Sequence, residues 1–253
     1  MPRKVFIFGD SHTVAIADAV ARRAAAGRTD PEFVIGRFAR EKPNGKKIRG
    51  VSLEDALAML KTAGPNDILV AVVGGNQYNT LGLLEHPEPY DFMLTPADAE
   101  TLTPGARIIP VRQVEAAFDA FLSGWMATTV AALRGAFKGQ AYYLETPPPK
   151  ADAEYIRVNA EAYFRTDGVV AVNVSPAPFR RRLWQVQSRA IERLCDSQDL
   201  TFLPAPRGGF DAEGYMAREC YGADATHANA AYGELVLGHL EALLSAKSKS
   251  EVA

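Results

Sequence analysis

The chain predicts an α/β fold: a three-layer α/β/α sandwich with helices on both faces of a roughly five-stranded parallel sheet. Three observations point there. Short apolar runs alternate with longer segments of helical period, the pattern of βαβ units. The run over 68–73, Ile-Leu-Val-Ala-Val-Val, is apolar without alternation, as a strand covered on both faces requires. Polar blocks rich in glycine or proline follow directly after three of the strands, where ligands collect in an open parallel sheet.

The elements follow in order. Residues 5–8, Val-Phe-Ile-Phe, are β-branched and aromatic and read as the first strand. They feed into Gly9-Asp10-Ser11-His12 and a helix over 13–26 that Ser11 or Thr13 is placed to cap. A second strand covers 33–35. The helix over 52–63 opens on Ser52 and Asp55, which read as a capping signal. The third strand, 68–73, runs into Gly74-Gly75-Asn76. Residues 77–110 hold Pro87, Pro89, Pro96 and Pro104 with several aromatics and no sustained period, the expected character of a lid or binding insertion. A long helix is predicted over 111–136, with Trp125 in the core. The fourth strand, 140–144, meets a rigid stop at Pro147-Pro148-Pro149. Helices over 153–165 and 179–197 precede the last strand, 201–203, and a closing helix over 229–245. In the second of these, Arg180-Arg181-Arg182 reads as a solvated face. No internal repeat or linker divides the chain, so one domain over 1–246 with a polar tail, 247–253, is expected.

Composition narrows the function classes. Of 253 residues 47% are hydrophobic, enough for a full core, and the net charge of −2 supplies no general attraction to nucleic acid or anionic membrane. No run of about 18 apolar residues occurs, so no membrane span is expected. Only four apolar residues separate Lys4 from Gly9, short of the ~7–15 of an export signal. Cys195 and Cys220 read as two reduced thiols. A cytoplasmic protein without nucleic-acid partner is the expectation, with oligomeric state open.

The chemistry lies at the two ends. Ser11 stands where a strand turns into a helix, so its hydroxyl is accessible and free N–H groups point to the same place; a plain helix cap is the alternative. Far downstream, Asp224 and His227 are three residues apart, close enough for the carboxylate to orient the imidazole as the serine's base. Asn76, after two glycines that permit a tight turn, offers an amide to a developing oxyanion beside the Ser11 N–H. A turn asparagine bonding its own backbone is the competing reading. Gly50 is the candidate to complete the oxyanion hole, with Gly45 as competitor. His12, Gln77 and Tyr78 are assigned to the substrate side.

Together these blocks resemble the SGNH (GDSL-type) hydrolase superfamily: Gly9-Asp10-Ser11, then Gly50, then Gly74-Gly75-Asn76, then Asp224 with His227, in that order over nearly the whole chain. The resemblance implies a flavodoxin-like fold and a serine hydrolase acting on an ester of a small molecule or carbohydrate, without metal or cofactor. An acyltransferase on the same groups is the nearest alternative. Two positions depart from the pattern. His12 stands where Leu is frequent, and Gln77 where Asp is frequent, which leaves the substrate open. His12 is not expected to replace His227, because adjacent residues at a helix start do not face each other.

Other enzyme classes fit less well. The Gly-x-Ser-x-Gly of α/β-hydrolases is absent. Asp10-x-His12 looks like the opening of a calcineurin-like phosphoesterase, but no second Gly-Asp block or Asn-His pair follows. No Walker A or Gly-x-Gly-x-x-Gly sequence suggests a nucleotide. His86 and His239 lack partners at metal-like spacing. A catalytically silent binding module on the same fold is the remaining class.

Overall fold

The structure, a computed structural model, describes residues 3–41, 45, 47–160 and 173–250. In chain order the elements are β1 (Lys4–Gly9), α1 (Thr13–Ala25), β2 (Glu32–Arg37), β3 (Arg40–Glu41), β4 (Lys47–Ile48), α2 (Leu53–Leu60) and β5 (Ile68–Val72). Then come α3 (Gln77–Gly82), β6 (Tyr90–Asp91), a 3-10 turn (Pro96–Thr101), β7 (Arg107–Ile108), α4 (Val111–Leu122) and α5 (Trp125–Ala136). The chain closes with β8 (Gln140–Leu144), α6 (Ala153–Val158), α7 (Ala177–Ser197), β9 (Thr201–Leu203), 3-10 turns at Arg207–Gly209 and Arg218–Cys220, and α8 (Ala230–Ser250).

The main sheet has five parallel strands in the order β2-β1-β5-β8-β9. Counting those five strands alone, this is the 2-1-3-4-5 order of flavodoxin-like folds, whose switch point lies between the first strand and the third. Alternation along β1 builds the layers. Phe6 and Phe8 enter one core with Leu69 and Ala71 of β5, against α2, α4, α5 and α7. Val5 and Ile7 enter the other with Ile68 and Val70, against α1 and α8. Both faces of β1 and β5 are therefore dry, which is why β5 carries no polar alternation.

All five predicted strands of the sheet form; the departures lie elsewhere. The helix expected over 111–136 is two helices bent by 56°, because Gly124 takes a non-helical backbone (ψ −124°) at the start of α5. That break turns Trp125 outward, 55% exposed rather than in the core, with its ring edge against Phe38. The expected solvated face of Arg180 and Arg182 is buried instead. The Arg182 guanidinium pairs with buried Asp91 at 2.8 Å, and Arg180 donates to the carbonyls of Ser175, Lys150 and Ala151. A guanidinium withdrawn from water is tolerated here because carboxylate and carbonyl acceptors replace the solvent.

The Asp91 pair anchors the 77–110 segment, which packs on α7 through Tyr90 and Phe92 against Phe179. It folds as a docked insertion. α6 ends at Val158, and 161–165 of its expected helix lies outside the described residues. α8 runs through Lys247 to Ser250, so most of the expected tail continues the helix. Neither Ser11 nor Thr13 caps α1: no side-chain cap forms, and the Thr13 hydroxyl donates to the Asp10 carbonyl. Ser52 and Asp55 do form the reciprocal box. No single helix among the described residues is long and apolar enough to cross a membrane.

Candidate active site

The C-terminal edge of the sheet brings the motif blocks together. Ser11 follows β1 and Gly74-Gly75-Asn76 follows β5, so the two flank the switch point. The Asp10 carboxylate ties them by accepting the Gly74 N–H at 2.6 Å. Gly74 and Gly75 both take positive φ, 73° and 85°, and a Cβ on either would collide with Met126 or Thr146. Only glycine turns the chain this sharply against those neighbours. Gln187 of α7 clamps the turn from below, donating to the Gly75 carbonyl and accepting the Tyr78 N–H.

The other half of the site is a closed loop. Tyr221 and Ala228 form an antiparallel bridge, and the Gly222 N–H donates to the His227 carbonyl at 2.9 Å. Within this loop the Asp224 carboxylate accepts the N–H of Thr226 and of His227 on one oxygen and meets His227 Nδ1 with the other at 2.7 Å. Burial pushes the Asp224 carboxyl up, but the His227 and Thr226 hydrogen bonds outweigh it and hold the group well below the ordinary carboxylate range. A carboxylate at Nδ1 puts the proton there and leaves Nε2 as the basic nitrogen.

A cavity of about 410 Å³ joins the halves. Ser11, His12, Asp224 and His227 all line it, as do Val14, Asp18, Arg22 and Arg37. The His12 and His227 rings lie 5.5 Å apart between centroids, so the start of α1 and the C-terminal loop are in direct contact. The Ser11 hydroxyl makes no hydrogen bond among the described residues and is not spent on capping. His12 is 6% exposed, and burial, with His227 adding to it, pushes its pKa down to about 3, so the ring is neutral at physiological pH.

Solved structures similar to the chain share its span. A Mycobacterium smegmatis aryl esterase matches with a TM-score of 0.47 and 14% identity over 96% of this chain and 99% of its own. A GDSL-like lipase from Bacteroides thetaiotaomicron matches at 0.47 and 11% over 97% and 89%. A carbohydrate acetylesterase from Sinorhizobium meliloti matches at 0.44 and 15% over 98% and 99%. Many of the solved neighbours are esterases and lipases. No family model matches the chain, and no curated protein does.

The remaining sequence-derived candidates separate. Asn76 opens α3, and its Oδ1 accepts from Asn79 at 2.7 Å, which leaves its amide N–H groups to donate elsewhere. It sits one residue past the glycine turn and outside the cavity lining. Gly50 presses on the end of β2, where a Cβ would meet the Arg37 carbonyl at 2.1 Å. Gly45 touches nothing within 4 Å of that position. Tyr78, assigned to the substrate side, lies instead in the core outside the cavity lining: it is 2% exposed, and burial pushes its hydroxyl up to about 12. Gln77 is held by the turn, its Oε1 accepting the Gly75 N–H and its Nε2 reaching the Met126 sulfur. None of 77–110 lines the cavity. Among the described residues no group of three or more His, Cys, Asp or Glu is placed to hold a metal ion.

Sequence reading missed Lys150. It is 2% exposed, and its ammonium donates to the carbonyls of Gly222 and Asp224 while lying 4.9 Å and 5.0 Å from the ring centres of Tyr155 and Tyr221. A buried cation thus holds the Asp224 loop from beneath. The only sequence signal was a lysine directly after the proline stop.

Proposed function

We propose that the protein is a serine hydrolase that cleaves a carboxylic ester of a small molecule or carbohydrate through an acyl-enzyme. The observation behind this reading is that Ser11 and the Asp224–His227 pair line one cavity beyond the C-terminal end of β1. His227 Nε2 takes the Ser11 proton as the hydroxyl oxygen attacks the acyl carbonyl. The oxyanion is held by the Ser11 and Gly50 N–H groups and by the Asn76 amide. The imidazolium then protonates the departing alcohol, leaving the acyl group on Ser11. Water, deprotonated by His227, releases the acid and restores the hydroxyl. Asp224 keeps the imidazole in its tautomer and offsets its transient charge, and His12 forms a neutral wall beside it. Asp10 shapes the turn and takes no part in the chemistry.

A serine-directed fluorophosphonate tests this. The expected result is labelling at Ser11 that is insensitive to chelator and lost in Ser11→Ala, together with turnover of an activated ester. Metal-dependent phosphatase activity without labelling would replace the reading, and a protein silent in both assays would be a binding module. Product analysis with added alcohols separates hydrolysis from acyl transfer.

A further inference from the structure

One half-buried charge in the cavity has no counterpart among the described residues. Arg37 closes β2 in register with Gly9, two residues before Ser11, and lines the same cavity as Ser11, His12 and His227. Its guanidinium makes no hydrogen bond or ion pair with any described residue. Other arginines withdrawn from solvent in the fold each hold at least one carbonyl or carboxylate. Arg23 binds Glu234 and Glu241, Arg134 binds Asp199, Arg180 binds three carbonyls and Arg182 binds Asp91. Arg37 is half-buried, remains charged, and presents a planar fork of donors suited to a carboxylate or phosphate.

The surrounding charges do not supply the missing partner. Asp224 is committed to His227, and Asp10 accepts the Gly74 N–H and meets Arg37 only through the longer-range field. Asp18 is exposed on α1, with Arg22 one turn further along the same wall. Arg40 adds a further positive charge, and burial together with Arg40 pushes the Arg37 pKa down. A second polar group waits in the same place: both ring nitrogens of His12 are buried without a hydrogen-bond partner among the described residues.

We infer that the substrate is an anionic ester, carrying a carboxylate or phosphate that pairs with Arg37 while its acyl carbon lies at Ser11. This rests on the serine-hydrolase reading and adds the substrate class. The cavity is large enough for a small molecule of that kind, and an anion there replaces the water that half-burial has already removed from the guanidinium.

The test compares matched esters. 4-Nitrophenyl hydrogen adipate against 4-nitrophenyl hexanoate places the anion on the acyl side. 4-Acetoxybenzoate against its methyl ester places it on the alcohol side, and 4-acetoxyphenyl phosphate replaces carboxylate by phosphate. At least one anionic ester is expected to exceed its neutral match by about ten- to hundredfold in kcat/KM, the worth of a charged hydrogen bond. That preference should shrink with added salt, collapse toward one in Arg37→Met and return in part in Arg37→Lys. Neutral esters turned over as well as every anionic one, or a preference untouched in Arg37→Met, would overturn the inference while leaving the hydrolase reading standing. Should Arg37→Met fail to fold, inhibition of the wild type by free adipate or phenyl phosphate decides, with competitive inhibition expected and none overturning. If no ester is turned over and Ser11 stays unlabelled, the hydrolase reading falls. Titration of adipate and phenyl phosphate into wild type and Arg37→Met then still reads the anion site: binding weakened tenfold or more in the variant supports it, and equal or absent binding overturns it.

Discussion

Residues carry the sharpest expectations. Asn76→Ala should lower kcat by about 10²–10³ with KM little changed, because an oxyanion donor acts only when charge develops; steady-state kinetics on an activated ester checks it. Lys150→Met should leave the partly buried Asp224 carbonyl without its donor, at a cost of about 1–3 kcal/mol before relaxation, while the Gly222 carbonyl keeps the Tyr155 hydroxyl. The expected result is a lower Tm and a kcat loss with KM retained, since the loop that holds Asp224 is what loosens. Asp224 also sets an acid limit. Its folded-state carboxyl lies below the unfolded value, so its contribution to stability is complete above about pH 4 and fades as pH falls toward the folded value. Urea unfolding at successive pH values should therefore show a shallower acid decline in Asp224→Asn than in wild type.

Among the elements, α7 has the most structural duties. Its first turns bury Arg180 and Arg182, its middle sends Gln187 to the glycine turn, and Trp184 donates to the Thr146 carbonyl. Arg182→Met should cost about 3–5 kcal/mol, because Asp91 is left charged in the interior. The double change Arg182→Met with Asp91→Leu should recover much of that, as chemical denaturation can show. A solvated arginine face would predict almost no loss. The arginine triplet is a place where local sequence misleads: nothing within the helix reveals that Asp91, 91 positions upstream, waits for Arg182.

Across the whole molecule, the docking of α8 on α1 decides whether the two ends meet. Arg23, buried on α1, reaches Glu234 and Glu241 of α8. Gly233 lies so near α1 that a Cβ would meet the Ala15 carbonyl at 2.0 Å. α8 begins three residues after His227, so a shift of its first turns moves the imidazole relative to Ser11. Gly233→Val should push the helices apart, lowering Tm and reducing turnover together; unchanged values of both would disconnect this contact from the site.

Strands, layers and the blocks at the strand ends are legible from the residues alone, because they depend on period and on turn chemistry, both local properties. Ser11, Asp224 and His227 were nameable as candidates for the same reason, each in a short motif whose backbone requirements show in neighbouring residues, and the structure brings these three to one cavity. Packing, in contrast, is what turns Tyr78 into the core, bends helix 111–136 at Gly124, and sets Lys150 beneath the Asp224 loop. The same packing puts Arg37 in the cavity lining with no ion pair among the described residues. These outcomes depend on which distant carbonyl, carboxylate or ring each side chain meets, and such meetings are set by the packing of layers, to which no local pattern gives access.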